Sequence, residues 1–114
     1  MISAILYTSN SGFTGQYADL LAERTGLPAY NIKNSIPPAV LGKEVIYLGW
    51  LMAGGIKGYA KTAKAYDVKA VCGVGMTPPS AIVMDDLRKN SGVPDETKLF
   101  YLHGGFDINK LSGL

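Results

Sequence analysis

Apolar and polar positions change period several times along the chain, and the changes mark an alternation of strands and helices. Ser3 to Tyr7 forms a short apolar run, the pattern of a strand buried on both faces. An uncharged segment, Thr8 to Thr14, follows it. Tyr17, Leu20 and Leu21, with Ala18 and Ala22 beside them, then recur at helical spacing, and Gly26 is placed to end that helix. Ala29 to Ile32 reads as a second strand, and Ser35-Ile36-Pro37-Pro38 leaves no room for a long helix after it. Val45 to Leu48 is a third strand. Ile56, Tyr59, Ala60 and Ala63 mark a helix whose outer face carries Lys57, Lys61 and Lys64. Val68 to Val74 predicts a fourth strand, Pro79 to Leu87 a helix with proline near its first turn, Gly92 to Asp95 a turn, and Leu99 to Leu102 a fifth strand. Strands alternating with helices predict an α/β domain over residues 1–114, with a parallel sheet joined by right-handed crossovers.

Composition narrows the functions open to such a domain. Of 114 residues, 47% are hydrophobic and 18% charged, a mixture that folds rather than stays disordered. A net charge of +2, with dispersed lysines, gives no electrostatic footprint for nucleic acid. No apolar run approaches the ~20 residues of a membrane span. The lone cysteine, Cys72, sits inside an apolar run, so neither a disulfide framework nor a zinc cluster is expected, and a reducing, cytoplasmic compartment fits.

In open α/β sheets ligands bind beyond the carboxyl ends of the strands, where the strand order reverses. The loops after the strands are therefore the places to look for chemistry. After the first strand, Ser9, Ser11 and Thr14 offer hydroxyl donors around Gly12 at the start of a helix, where backbone amides and the helix dipole hold a phosphate without needing a lysine. Simple helix capping is the plainer alternative, although a cap needs one hydroxyl and three are present. A G-x-G-x-x-G fingerprint is absent from this loop, and Gly49 to Gly54 has the spacing of a P-loop but is followed by Gly55-Ile56 instead of Lys-Ser. Receiver-type acidic clusters are missing from Tyr7-Thr8-Ser9 and Gly49-Trp50. A cysteine phosphatase would need an arginine in the loop after Cys72, and Gly73 to Ser80 contains none.

Ser9-Asn10-Ser11-Gly12-Phe13-Thr14 resembles the phosphate-binding loop of flavodoxins, (S/T)-x-(S/T)-G-x-T, and the order of elements through residue 102 resembles theirs as well. The resemblance implies a flavodoxin-like doubly wound sheet of five parallel strands in the order 2-1-3-4-5, the order that the flavodoxin family exemplifies. It also implies FMN as cofactor, with phosphate contacts from Ser9, Asn10, Ser11, Gly12, Phe13 and Thr14. Gly49, Trp50 and Leu51 follow the third strand, where the family places an aromatic against the isoalloxazine ring; a core tryptophan is the alternative. Gly75, Met76 and Thr77 would form a second wall, though this chain has neither the tyrosine nor the acidic residues usual there. His103 and Gly104 end the fifth strand, where His103 would donate to a flavin or a quinone-like substrate unless its role is structural. The Gly104-Gly105-Phe106-Asp107 ending is similar to the flavodoxin-domain group that includes menaquinone-dependent protoporphyrinogen oxidases.

Two further departures bear on partners. Flavodoxins that shuttle electrons are typically acidic, whereas this chain is slightly basic. Residues 107–114 allow only about two helical turns where the family has a final helix, so that helix is expected to be short or missing and a bare sheet face to favour a homo-oligomer. The function expected is FMN-dependent electron transfer or a small flavin oxidoreductase, with a redox partner protein or small-molecule electron acceptor. The alternative is a flavodoxin-fold module without FMN, acting as an interaction domain or binding another phosphorylated ligand.

Overall fold

A computed structural model describes residues 1–9 and 12–104. Alternating side chains on its strands build two apolar layers, one on each face of a single sheet. Strand β1 (Ala4–Thr8) turns Ala4 and Leu6 to one face and Ile5 to the other. Beside it lie β2 (Ala29–Asn31) and the long β3 (Glu44–Met52), both parallel to it, with Ile5 opposite Ala29 and Ile46. Strands β5 (Asp67–Gly75) and β6 (Lys98–His103) continue the parallel sheet beyond β3. The order is β2-β1-β3-β5-β6, the predicted 2-1-3-4-5 order of the five parallel strands. The short β4 (Gly55–Ile56) pairs only with β3, antiparallel, and sequence patterning did not predict it.

Helix α1 (Phe13–Thr25) packs Tyr17, Ala18 and Leu21 on the face formed by Ile5, Ile46, Leu48, Cys72, Val74 and Leu102. It stops at Gly26, whose left-handed backbone (φ 74°) lets its N–H reach Ala22 O at 2.8 Å. The opposite face takes Tyr59 of α2 (Tyr59–Ala65) and Leu87 of α3 (Met84–Ser91), against Leu6, Tyr47, Val71 and Tyr101. Burial of the Cys72 thiol on the α1 face of the sheet pushes its pKa up to about 12, so it behaves as a small hydrophobe.

Two predicted helices differ from the structure. Ile56 has helical spacing to Tyr59 and Ala63, yet it is a β4 residue opposite Leu51, because Ala53 (φ 52°) and Gly54 (φ 85°) make a two-residue turn that folds the chain back on β3. Gly58 (φ 80°) then starts α2, so Lys57 lies before the helix and not on its outer face. The predicted Pro79–Leu87 helix is a single 3-10 turn, Pro79–Ala81, followed by extended Ile82 and Val83, and only then α3. β-Branched Ile82 and Val83 favour that extended backbone. Asp85 and Asp86 in the first turn of α3, and Arg88 and Lys89 in its last, suit the helix dipole. The predicted shortening of a final helix concerns residues outside the described ones. Among the described residues, no helix is long and apolar enough to cross a membrane, and no cluster of His, Cys, Asp and Glu could hold a metal ion.

Candidate functional site

β1 and β3 are neighbours whose onward connections leave on opposite faces of the sheet, so a crevice opens between their carboxyl ends. An open cleft of about 160 Å³ lies there, lined by Ser9, Phe13, Thr14, Trp50, Leu51, Val74, Gly75, Met76 and Gly104. The carboxyl ends of four of the parallel strands, or the residues just after them, thus meet at one place. Of the predicted site residues, Ser9, Phe13, Thr14, Trp50, Leu51, Gly75, Met76 and Gly104 are brought together, while Asn10 and Ser11 lie outside the described residues.

One end of the cleft is built by the start of α1. Its N-cap position is Gly12, held at φ 108°, a backbone conformation that L side chains rarely adopt. No side chain among the described residues caps the helix; Ser9 Oγ accepts the Gly12 N–H at 3.3 Å. The amides of the first helical turn and the positive end of the dipole are left beside the cleft, together with the buried Thr14.

Trp50 supplies an aromatic wall. Because β3 runs on to Met52, Gly49, Trp50 and Leu51 are strand residues, and strand alternation decides which way each points. Trp50 faces the cleft, and its buried indole N–H finds no acceptor among the described residues. Lys57 Nζ stands 5.0 Å from the indole centroid, within cation–π range. Gly49, predicted to contact the cofactor, points the other way. A Cβ on it would stand 2.5 Å from Lys57 O and 2.9 Å from both Ile56 Cγ2 and Tyr47 Cε2, so its smallness serves the crossing of β4 over β3.

The second wall is fastened to the end of β6. Gly104 N–H donates to Gly75 O at 2.6 Å, and Tyr17 Oη donates to His103 O at 2.6 Å. His103 Nε2 lies 3.1 Å from Met76 O, and with the proton on Nε2 the ring donates to that carbonyl. His103 does not line the cleft; its ring braces the loop that does. Thr77 is likewise turned out of it, its carbonyl accepting Tyr101 Oη at 2.5 Å. Gly104 has no side chain to displace the Met76 thioether lying against it, and Phe13 packs behind. Phe13 (38%) and Met76 (68%) remain exposed at the cleft mouth. Val74 and Lys57 are the site neighbours that patterning missed. Val74 was readable only as buried strand, and Lys57 was assigned to a helix that starts two residues later.

No family model matches the chain, and no curated protein matches it in sequence. Solved structures do match it in shape. A candidate flavoprotein from Bacteroides uniformis superposes with a TM-score of 0.64 at 14% identity, over 98% of this chain and 96% of that one. The flavodiiron protein from Giardia intestinalis gives a TM-score of 0.56 at 15% identity, over 97% of this chain but 32% of that one, so the chain corresponds to about a third of its length. Likeness at such identities speaks to architecture, and function has to be argued from the site. With the strand order and the two helical layers, it shows that the chain has the flavodoxin-like, doubly wound α/β fold.

Proposed function

We propose that the chain binds FMN in this cleft and works as a flavodoxin-like redox protein, exchanging electrons with a partner protein or a small-molecule acceptor. One observation carries the reading: the N-terminus of α1, which no described side chain caps, and the indole of Trp50 border the same cleft, between β1 and β3. An anion-binding end and a flat aromatic face in one crevice suit a ligand with a phosphate at one end and a ring at the other. The Trp50 N–H adds to the fit, since a buried donor that finds no partner among the described residues is costly to leave so, and FMN carries acceptor atoms on its ring and ribityl chain.

In this reading Ser9, Asn10, Ser11, Gly12, Phe13 and Thr14 hold the phosphate. Trp50, Leu51, Gly75, Met76 and Gly104 border the ring. Bound flavin supplies the electron chemistry, so no general acid or base is required of the chain. The residues bind, orient and partly shield it: Trp50 offers a π-face, the Met76 thioether a soft and mobile wall, and the open cleft leaves a ring edge in solvent for electron exchange. At about 160 Å³ the cleft is smaller than the ~300–1,000 Å³ of most small-molecule sites, which favours a partly exposed ligand over an enclosed one. The same small volume, and a second wall without an aromatic, favour the alternative of a module that does not bind FMN.

A Ser9/Ser11/Thr14 triple alanine variant separates the two. It should bind FMN at least about 1,000-fold more weakly while its affinity for riboflavin, which lacks the phosphate, stays within about two-fold, as expected for the loss of roughly three hydrogen bonds to a charged group at about 1.5 kcal/mol or more each. Isothermal titration with both ligands, after circular dichroism has shown the variant folded, makes the comparison. Unchanged FMN affinity would remove the phosphate site from this loop.

A further inference from the structure

Lys57 lies outside the lining of the cleft, but its ammonium stands over the ring of Trp50, which lines it. Its backbone is fixed from two sides: its N–H donates to Trp50 O at 3.0 Å, and its carbonyl accepts Tyr47 Oη at 2.5 Å. Tyr47 Oη is in turn 2.7 Å from Thr8 Oγ1, at the end of β1. Gly58 follows, and a side chain there would run into the Tyr47 hydroxyl, so the turn holding Lys57 has little room to shift. From this anchored position the ammonium reaches over the Trp50 ring, 5.0 Å from its centre. Every described side chain lining the cleft is uncharged. Among the described residues, Lys57 is the charged group that the structure sets against a lining side chain.

Resting on the FMN reading above, we propose that Lys57 gives this site its charge preference, favouring the reduced, anionic flavin over the oxidised, neutral ring. Two electrons and one proton convert the neutral ring to its dihydro form carrying one negative charge near neutral pH. The electrons come from an external donor, dithionite in the test below, and the proton from solvent. A cation one indole away attracts the product and not the starting ring. With an effective dielectric constant of roughly 40 and a separation of about 8 Å, the attraction amounts to about a five-fold preference. Lys57 is thus a tuning residue that acts through charge, with Trp50 between it and the ligand.

The test is the ratio of dissociation constants for oxidised and dithionite-reduced FMN, measured anaerobically for wild type, Lys57→Met and Lys57→Arg at low and high salt. Lys57→Met should lose about five-fold of the preference for the reduced form. Lys57→Arg should keep it, since guanidinium also stacks on indole and stays charged, and added salt should shrink the wild-type preference. Equal weakening of both redox forms by Lys57→Met, or loss of the preference in Lys57→Arg as well, would show that Lys57 only props Trp50 and would overturn the proposal. A wild type that binds FMN with a ratio unmoved by Lys57→Met overturns the assignment to Lys57 alone, whereas a wild type that binds neither form overturns the FMN reading and this inference with it.

Discussion

Gly49→Ala should lower stability by about 3 kcal/mol, one of the largest losses expected from a single methyl group in this chain. Gly49 sits in the middle of the sheet, opposite Thr8 of β1 and Gly73 of β5. Its backbone is ordinary strand, so conformational freedom is not what glycine supplies. Space is: the added Cβ would meet the Lys57 carbonyl at 2.5 Å, with Ile56 Cγ2 and Tyr47 Cε2 at 2.9 Å. The first of these atoms is backbone held by the Tyr47 hydroxyl, so it cannot swing aside as a flexible side chain would. Overpacking a tight core costs about 1–3 kcal/mol, and disturbing the Tyr47–Lys57 hydrogen bond leaves buried polar groups exposed to a further loss of about 1 kcal/mol. Urea and thermal unfolding measure the effect, expected as a fall in melting temperature of about 10 °C or more. A variant within about 0.5 kcal/mol of wild type would show that β4 is not pressed on β3 as described. If the glycine served the cofactor instead, alanine would leave stability intact and weaken FMN binding.

Alkaline pH should withdraw a comparable amount of stability, beginning near pH 9. Burial raises the Cys72 thiol from its ordinary 9.0 to about 12 and the Tyr47 hydroxyl from 10.0 to about 12. For Tyr47, hydrogen bonds from Thr8 and Thr62 oppose the rise but do not cancel it. Both groups are neutral in the folded and unfolded chain below pH 9, and their contribution is then fully present. Between pH 9 and 12 the unfolded chain releases these protons while the folded chain keeps them, so stability falls as pH rises. Each pH unit separating folded and unfolded pKa values is worth about 1.4 kcal/mol, so the two groups together withdraw on the order of several kcal/mol by pH 12. Urea midpoints from pH 7 to 11 should bend downward from about pH 9, and Cys72→Val, a small apolar replacement, should move the bend toward pH 10. A flat profile to pH 11, or the same bend in the valine variant, would contradict this account of the buried thiol.

The five parallel strands were legible because each is a short apolar run bounded by polar or glycine-rich segments, and alternation with helices implies parallel pairing; their order came from the resemblance to flavodoxins and not from the pattern. The β3–β4 hairpin was not legible. Its turn uses Ala53 at a positive φ, which alanine does not advertise, and Ile56 satisfies the helical spacing of Tyr59 and Ala63 by coincidence. α3 was displaced for a related reason: Pro79 marks a turn as readily as a helix start, and Ile82-Val83 prefer the extended backbone found there. At the site, topology alone pointed to the loops after the strands. It could not say which residues of a loop face inward, because β3 runs four residues past Leu48 and alternation then turns Trp50 into the cleft and Gly49 away from it. His103 and Thr77 were assigned to the cofactor by position, whereas hydrogen bonds that no sequence pattern reveals, from His103 to Met76 O and from Tyr101 to Thr77 O, engage them in holding the second wall.

The most direct test of the FMN reading is a visible absorption spectrum of the purified protein, followed by titration of the flavin-free form with FMN while flavin and tryptophan emission are recorded. Trp50 is the only tryptophan, so its emission reports on the cleft without interference. Bound flavin in the spectrum, or mutual quenching that saturates at one FMN per chain, is the predicted result. A colourless protein whose Trp50 emission does not respond to FMN, oxidised or reduced, would contradict the account and leave the cleft to a ligand of another kind.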